Sequence, residues 1–262
     1  MKLKIYQVDA FTENIFGGNP AAICPLDNWL PDETLQKIAM ENNLAETAYY
    51  VKKNNVYEIR WFTPTVEVDL CGHATLASAH VLYQHENYTA DQIEFFSPRS
   101  GKLTVTKNID LLTLNFPSDK MEKINVPEEL TKGFDQQPSE VWKGKTDYLF
   151  VYNNEKQIQN LKPNLPELAK WKVRGVITTA KGEKSDFVSR FFAPQSGIDE
   201  DPVTGSAHTT LTPYWAERLG KKELSAIQLS ARKGHLTCKF LNDRVEISGK
   251  AKTYLIGEIF LD

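Results

Sequence analysis

The sequence predicts a mixed α/β (α+β) protein in which one strand-and-helix unit is used twice. Three observations carry that prediction. Short alternating apolar runs recur along all 262 residues with helical segments between them. RWFTP at Arg60 to Pro64 returns as RFFAP at Arg190 to Pro194, and Leu35 in its proline-started helix sits opposite Leu165, both 130 residues apart. Finally, DLCGHATLASAH from Asp69 and DPVTGSAHTTLT from Asp201 each run from an acidic residue through a glycine turn into helix-compatible sequence. A period this long implies a whole domain folded twice, unlike the 20 to 50 residues of a solenoid repeat.

The elements follow in order. Leu3 to Phe11 alternates as a strand does, and the GGNP turn at Gly17 to Pro20 leads into a second strand at AAIC. Pro31 opens a helix, with acidic residues in the first turn and Leu35, Ile38 and Ala39 at helical spacing. Strands are predicted at Thr47 to Lys52, Val56 to Thr63, Gln92 to Ser97, Lys102 to Lys107 and Leu111 to Phe116. From Pro117 to Pro138 the apolar pattern thins, which suits a crossing between units, and the expected domains are 1–116 and 117–262, with the last strand free to return to the first. In the second half Asp147 to Tyr152 reads as a strand, Leu165 to Trp171 as a short helix, and Val173 to Thr179 and Asp186 to Phe192 as strands.

Composition removes several function classes. A formal charge of −3 offers no basic field for a phosphate backbone, so nucleic acid is not an expected partner. The first residues lack a signal-peptide pattern, and no later run has the apolar length of a membrane span, so a cytoplasmic protein without a membrane partner is expected. Cys24, Cys71 and Cys238 are scattered, odd in number and without CxxC spacing. They read as reduced thiols, with no disulfide framework and no metal site. His80, His85 and His235 have no convergent partners in sequence, and His80 follows His73 at a spacing of seven with no acidic group between them.

If the repeat is real, the two glycine turns occupy equivalent places in two similar domains. A helix start presents unpaired N–H groups and the positive end of a dipole, and two of them facing one cleft would suit a small anion, most naturally a carboxylate.

GGNPAA, NLAETAYYV, RWFTPTVEVDLCGHATLASAH, SRFFAP and EDPVTGSAH together resemble the PhzF-like phenazine-biosynthesis family, a branch of the diaminopimelate-epimerase fold. The resemblance implies two similar domains related by a pseudo-twofold axis. Each is a mixed, mostly antiparallel sheet wrapped around a central helix, with the active site between them. It implies isomerase chemistry without any cofactor: in the phenazine enzyme, which isomerises trans-2,3-dihydro-3-hydroxyanthranilate, the glutamate of the NxxET stretch moves a proton between carbons. That position is Glu46 here, assisted by His73, Asp201 and Ser206. A homodimer is implied as well, and no phenazine pathway is.

Each residue also has a plainer reading. Glu46 stands where a solvated charge is common, although Leu44, Ala45 and Ala48 offer apolar walls for an acid/base carboxylate. His73 at a helix start can be a structural residue or can polarise a substrate oxygen. Asp201 can shape its turn or orient a partner, and Ser206 can cap a helix or donate to an anion held by Gly205 and Ala207. Gly72 and Ala74 would supply the matching N–H groups of the first turn, with Cys71 and Asn19 beside the substrate. Related epimerases and racemases use two facing cysteines, and the second turn here has none, so Cys71 reads more simply as a small buried residue. His208 either lines the cleft or packs within its helix. The expected activity is therefore proton transfer between carbons of a small carboxylated metabolite. A non-catalytic anion-binding protein and an amino-acid epimerase or racemase that pairs Glu46 or Cys71 with another base are the alternatives.

Overall fold

The computed structural model describes residues 1–126 and 128–261. Contacts cluster into two compact units, Met1–Asn115 with Ser248–Asp262, and Phe116–Ile247. The crossing predicted over 117–138 includes Pro127, which lies outside the described residues.

The first unit contains β1 (Lys2–Ala10), β2 (Asn19–Leu26), α1 (Asp32–Asn42), β3 (Glu46–Lys53), β4 (Val56–Phe62), β5 (Glu67–Val68), α2 (Gly72–His85), β6 (Gln92–Ser97), β7 (Gly101–Asn108) and β8 (Leu111–Pro117). The second contains β9 (Glu122–Ile124), β10 (Glu140–Lys143), β11 (Asp147–Val151), α3 (Glu155–Asn160), α4 (Leu165–Leu168), β12 (Gly175–Lys181), β13 (Phe187–Phe192), α5 (His208–Leu219), β14 (Glu223–Gln228), β15 (Gly234–Phe240) and β16 (Arg244–Gly249). The last strand, β17 (Ala251–Phe260), runs antiparallel to β1 and so belongs with the first unit.

The two units repeat one pairing scheme. In the first, β1–β2 is antiparallel, β2–β3 parallel, β3–β4 antiparallel, β4–β6 parallel and β6–β7 antiparallel. In the second, β10–β11, β11–β12, β12–β13, β13–β14 and β14–β15 follow the same alternation of directions. Each parallel step needs a crossover. Helix α1 fills the first crossover of its unit, α3 and α4 fill the matching one, and α2 and α5 occupy the next pair.

The repeated RxFxP element has a structural reason. Arg60 pairs through both carboxylate oxygens with Glu67, at 2.7 and 2.9 Å, while its guanidinium lies over Phe62. Arg190 repeats the arrangement with Glu200, at the same two distances, over Phe192. A planar fork on a carboxylate and a ring is a specific geometry that pins the loop after the strand in each unit.

Helix α2 is buried on nearly all sides, from His73 to Ala79 and again at Val81 and Leu82. Such a helix has no solvated face for polar groups, and Thr75 and Ser78 solve this by donating to the carbonyls of Cys71 and Ala74. Helix α5 buries Leu211, Tyr214 and Trp215. No helix among the described residues is long and apolar enough to cross a membrane.

Three local readings change. The helix expected to reach Trp171 ends at Leu168, and the strand expected from Val173 begins at Gly175, because Arg174 turns aside to donate its N–H to Thr146 O. The crossing region holds β9, paired with β10, and a 3₁₀ turn at Glu128–Lys132. The second central helix starts at His208 rather than at Gly205. Residues Gly205 to Ala207 form a tighter turn, in which the N–H groups of His208, Thr209 and Thr210 reach back three residues to the carbonyls of Gly205, Ser206 and Ala207.

Candidate functional site

In the first unit, three elements bring Glu46, His73, Cys71 and Asn19 together. Asn19 opens β2, Glu46 opens β3, and the parallel register sets Ala21 beside Glu46. His73 lies in the first turn of α2, behind its N-cap Cys71. The approach to Asn19 needs a glycine at position 18. Its φ is +60°, and a Cβ there would stand 2.0 Å from Ala10 O. Asp9, buried in β1, accepts the Phe16 N–H at 2.9 Å and holds the same loop.

Glu46 is 8% exposed and His73 is 4% exposed, so the plainer reading of Glu46 as a solvated charge does not apply. Glu46 Oε2 lies 3.2 Å from His73 Nε2. That distance suits an ion pair, yet the alignment is off a hydrogen-bonding line, and neither atom has another partner among the described residues. On the other side of the ring, Nδ1 lies 3.2 Å from Asn19 Nδ2 and 3.5 Å from Cys71 Sγ.

Burial pushes the Cys71 thiol up to about 11, and the Glu46 charge adds to it, so the sulfur is a thiol at neutral pH. Burial alone would lower the His73 pKa, but the acidic groups of Cys71 and Glu46 outweigh it and hold the imidazole well above its ordinary value. With Cys71 neutral, the charge that acts on His73 at pH 7 is that of Glu46. Asn19 serves either protonation state of the ring. Its amide N–H donates to a bare Nδ1, and turned end for end its carbonyl accepts from Nδ1–H. Glu46, Cys71 and His73 also present a carboxylate, a thiol and an imidazole within 4.8 Å of one another, donors that a metal ion could use.

In the second unit, Asp201 and the 205–207 turn are linked through Thr204. The Thr204 hydroxyl donates to Asp201 Oδ2 at 2.6 Å, and Gln228 Nε2 donates to the Asp201 carbonyl at 2.7 Å, while Gln228 Oε1 accepts the Thr204 N–H. Gly234 lets β15 lie against this turn, since a Cβ there would stand 2.2 Å from Val203 Cγ2. Aligned on the glycines, Thr204 stands opposite Cys71 and Ser206 opposite His73. Ser206 does not cap α5; its hydroxyl accepts from Arg174 Nη1 at 2.8 Å. His208 is fully buried, donates from Nδ1 to Thr204 O at 2.8 Å, and packs by Phe187. Burial pushes its pKa down to about 4, so the ring is neutral.

Sequence patterns did not reveal Arg174 or Asp147, which carry no local motif. Nor did they show that His80 and His85 converge on the Thr253 hydroxyl at 2.9 and 2.8 Å. Those two rings line a cavity of about 510 Å³ that includes neither Glu46 nor His73.

Comparison with known proteins adds to this geometry. The family model described as "PhzC-PhzF: Phenazine biosynthesis-like protein" matches residues 8–257. A Pseudomonas aeruginosa protein named as an uncharacterized isomerase is 52% identical over the full length of both chains. A crystal structure of a PhzF-family phenazine biosynthesis protein from Enterococcus faecalis superposes with a TM-score of 0.97 at 45% identity, covering all of both chains. A hydroxyproline epimerase from Agrobacterium vitis shares the fold, with a TM-score of 0.60 at 9% identity over 98% of this chain and 92% of that one. The chain thus has the diaminopimelate-epimerase-like fold, belongs to the phenazine biosynthesis-like (PhzC-PhzF) family, and is an isomerase within it.

Proposed function

We propose that this isomerase moves a proton between two carbons of a small carboxylated metabolite, without a cofactor, and that Glu46 carries the proton. The observation behind this reading is the pair of buried, facing atoms, Glu46 Oε2 and His73 Nε2, held close without a spent hydrogen bond. Buried polar atoms in folded proteins are almost always satisfied, and a loose acid/base pair is what a substrate can tighten.

The step balances within the substrate. The Glu46 carboxylate takes a proton from carbon, and the electron pair left behind moves into the adjacent unsaturated system toward an oxygen. His73 donates to that oxygen from Nε2, so the negative charge develops beside a donor. Glu46, now a carboxylic acid, returns the proton to a second carbon, and substrate and product are isomers. In the second unit, Ser206 and the N–H groups of Gly205 and Ala207 are donors suited to a carboxylate, with Asp201 holding Thr204 and the turn in place.

An epimerase that uses Cys71 as its base is less well supported. Its thiol is held at about 11, and its counterpart by the second glycine is Thr204.

Incubation with trans-2,3-dihydro-3-hydroxyanthranilate, proline, 4-hydroxyproline and diaminopimelate in deuterated water, followed by NMR of carbon-bound hydrogen, tests the reading. Exchange accompanied by a shifted double bond supports it. Inversion at one carbon with no shift selects the epimerase instead, and ligand binding without exchange selects a binding protein.

A further inference from the structure

Arg174 reaches the second turn from the segment between α4 and β12. Its Nε donates to Asp147 Oδ1 at 2.9 Å and its Nη2 to Asp147 Oδ2. Asp147 opens β11 and is buried, and the guanidinium lies over the Phe191 ring at 5.3 Å. A carboxylate on two nitrogens and a ring on one face leave the planar fork a single orientation. In that orientation Nη1 meets Ser206 Oγ.

We propose that Arg174 is a positioning residue that makes Ser206 a directed donor to a single carboxylate. A hydroxyl has one hydrogen and two lone pairs, and a guanidinium has no acceptor. Ser206 must therefore accept from Arg174, and its own hydrogen is not spent there. The Ser206 hydroxyl has no other partner among the described residues. The cation on its lone pair also polarises the O–H bond and strengthens it as a donor. Because Asp147 already balances the Arg174 charge, the arginine acts on a ligand through the hydroxyl rather than as its counter-ion. Donors of this kind suit one negative charge, a monocarboxylate end, better than a phosphate dianion. The inference rests on the proposed role of Ser206 as a donor to a bound carboxylate.

Acetate is the minimal probe, with acetamide as its neutral control. In the full-length ¹⁵N-labelled protein, the amide resonances of Gly205, Ser206 and Ala207 are followed during titration. The wild type is expected to show saturable shifts with acetate and none with acetamide. Ser206→Ala is expected to weaken acetate binding by about tenfold to a hundredfold, the worth of one charge-assisted hydrogen bond. The double variant Arg174→Gln/Asp147→Asn, which strands no buried charge, should lose a similar factor, and adding Ser206→Ala to it should cost nothing more. If the wild type gives no acetate response, or Ser206→Ala binds as well as wild type, the reading of Ser206 fails. If Ser206→Ala weakens binding while the Arg174/Asp147 variant does not, or the losses add, the positioning role of Arg174 alone is overturned. Should the double variant not fold, Arg174→Lys decides: it keeps the charge without the fork, and unchanged affinity there also overturns the role.

Discussion

His73 Nε2 faces Glu46 Oε2 at 3.2 Å, the one from the first turn of a buried helix and the other from the first residue of the strand beneath it. The Glu46 carboxylate raises the proton affinity of the His73 ring, and that effect is measurable. The imidazole C2–H resonance of His73 is expected to titrate well above the ordinary histidine range in the wild type and to move down in Glu46→Gln, where the carboxylate charge is gone. An unchanged midpoint in the variant means the pair is not electrostatically coupled.

The same shift fixes a pH dependence of stability. A folded-state value above that of a free imidazole means that the native chain keeps a proton the unfolded chain has released. The stabilisation is complete below about 6.5 and is lost as pH rises through the folded value. Thermal unfolding of the wild type and of His73→Asn, compared across that range, should converge as pH rises.

His208 has the opposite sign. Its ring is pushed down to about 4, so the unfolded chain binds a proton that the native chain does not. The stability this ring contributes is present above about 6.5 and is lost as pH falls to about 4. His208→Asn keeps a donor for Thr204 O and removes the titration, and its acid unfolding limb should be flatter over that window.

Cys71 is buried and neutral at pH 7. Cys71→Ala should therefore keep carbon-hydrogen exchange within about threefold, whereas loss of a general base costs about 10² to 10⁴. A drop of the larger size would return the thiol to the chemistry.

Gly18→Ala should destabilise the fold by about 1 to 3 kcal/mol, from the positive φ and the clash with Ala10 O, and should lower activity by displacing Asn19 from His73. Urea unfolding checks the first effect. Substitution without either effect would mean the loop relaxes freely.

Much of the fold was legible because its signals are local. Pro31 and the acidic first turn mark α1, and RxFxP marks a strand end whose arginine finds a glutamate seven residues on in one unit and ten in the other. Glu46, Cys71 and His73 were legible as motif residues, although nothing in NLAETAYY says that Glu46 is buried. Arg174 and Asp147 were not legible, because they meet only through the parallel pairing of β11 with β12, which sets Asp147 beside Gly175. Strand β17 lacks a clean alternation, with Tyr254, Leu255 and Ile256 exposed in succession beside an irregularity in its register with β1. The shift of the second helix start to His208 follows from three-residue hydrogen bonds that composition does not encode.

Glu46→Gln is the most direct test, because it removes the proposed proton carrier while keeping the size of the side chain. With the acid that the wild type isomerises in deuterated water, the variant should fold, bind, and lose carbon-bound deuterium incorporation by about 10² to 10⁴. Incorporation at the wild-type rate would contradict the assignment of proton transfer to Glu46.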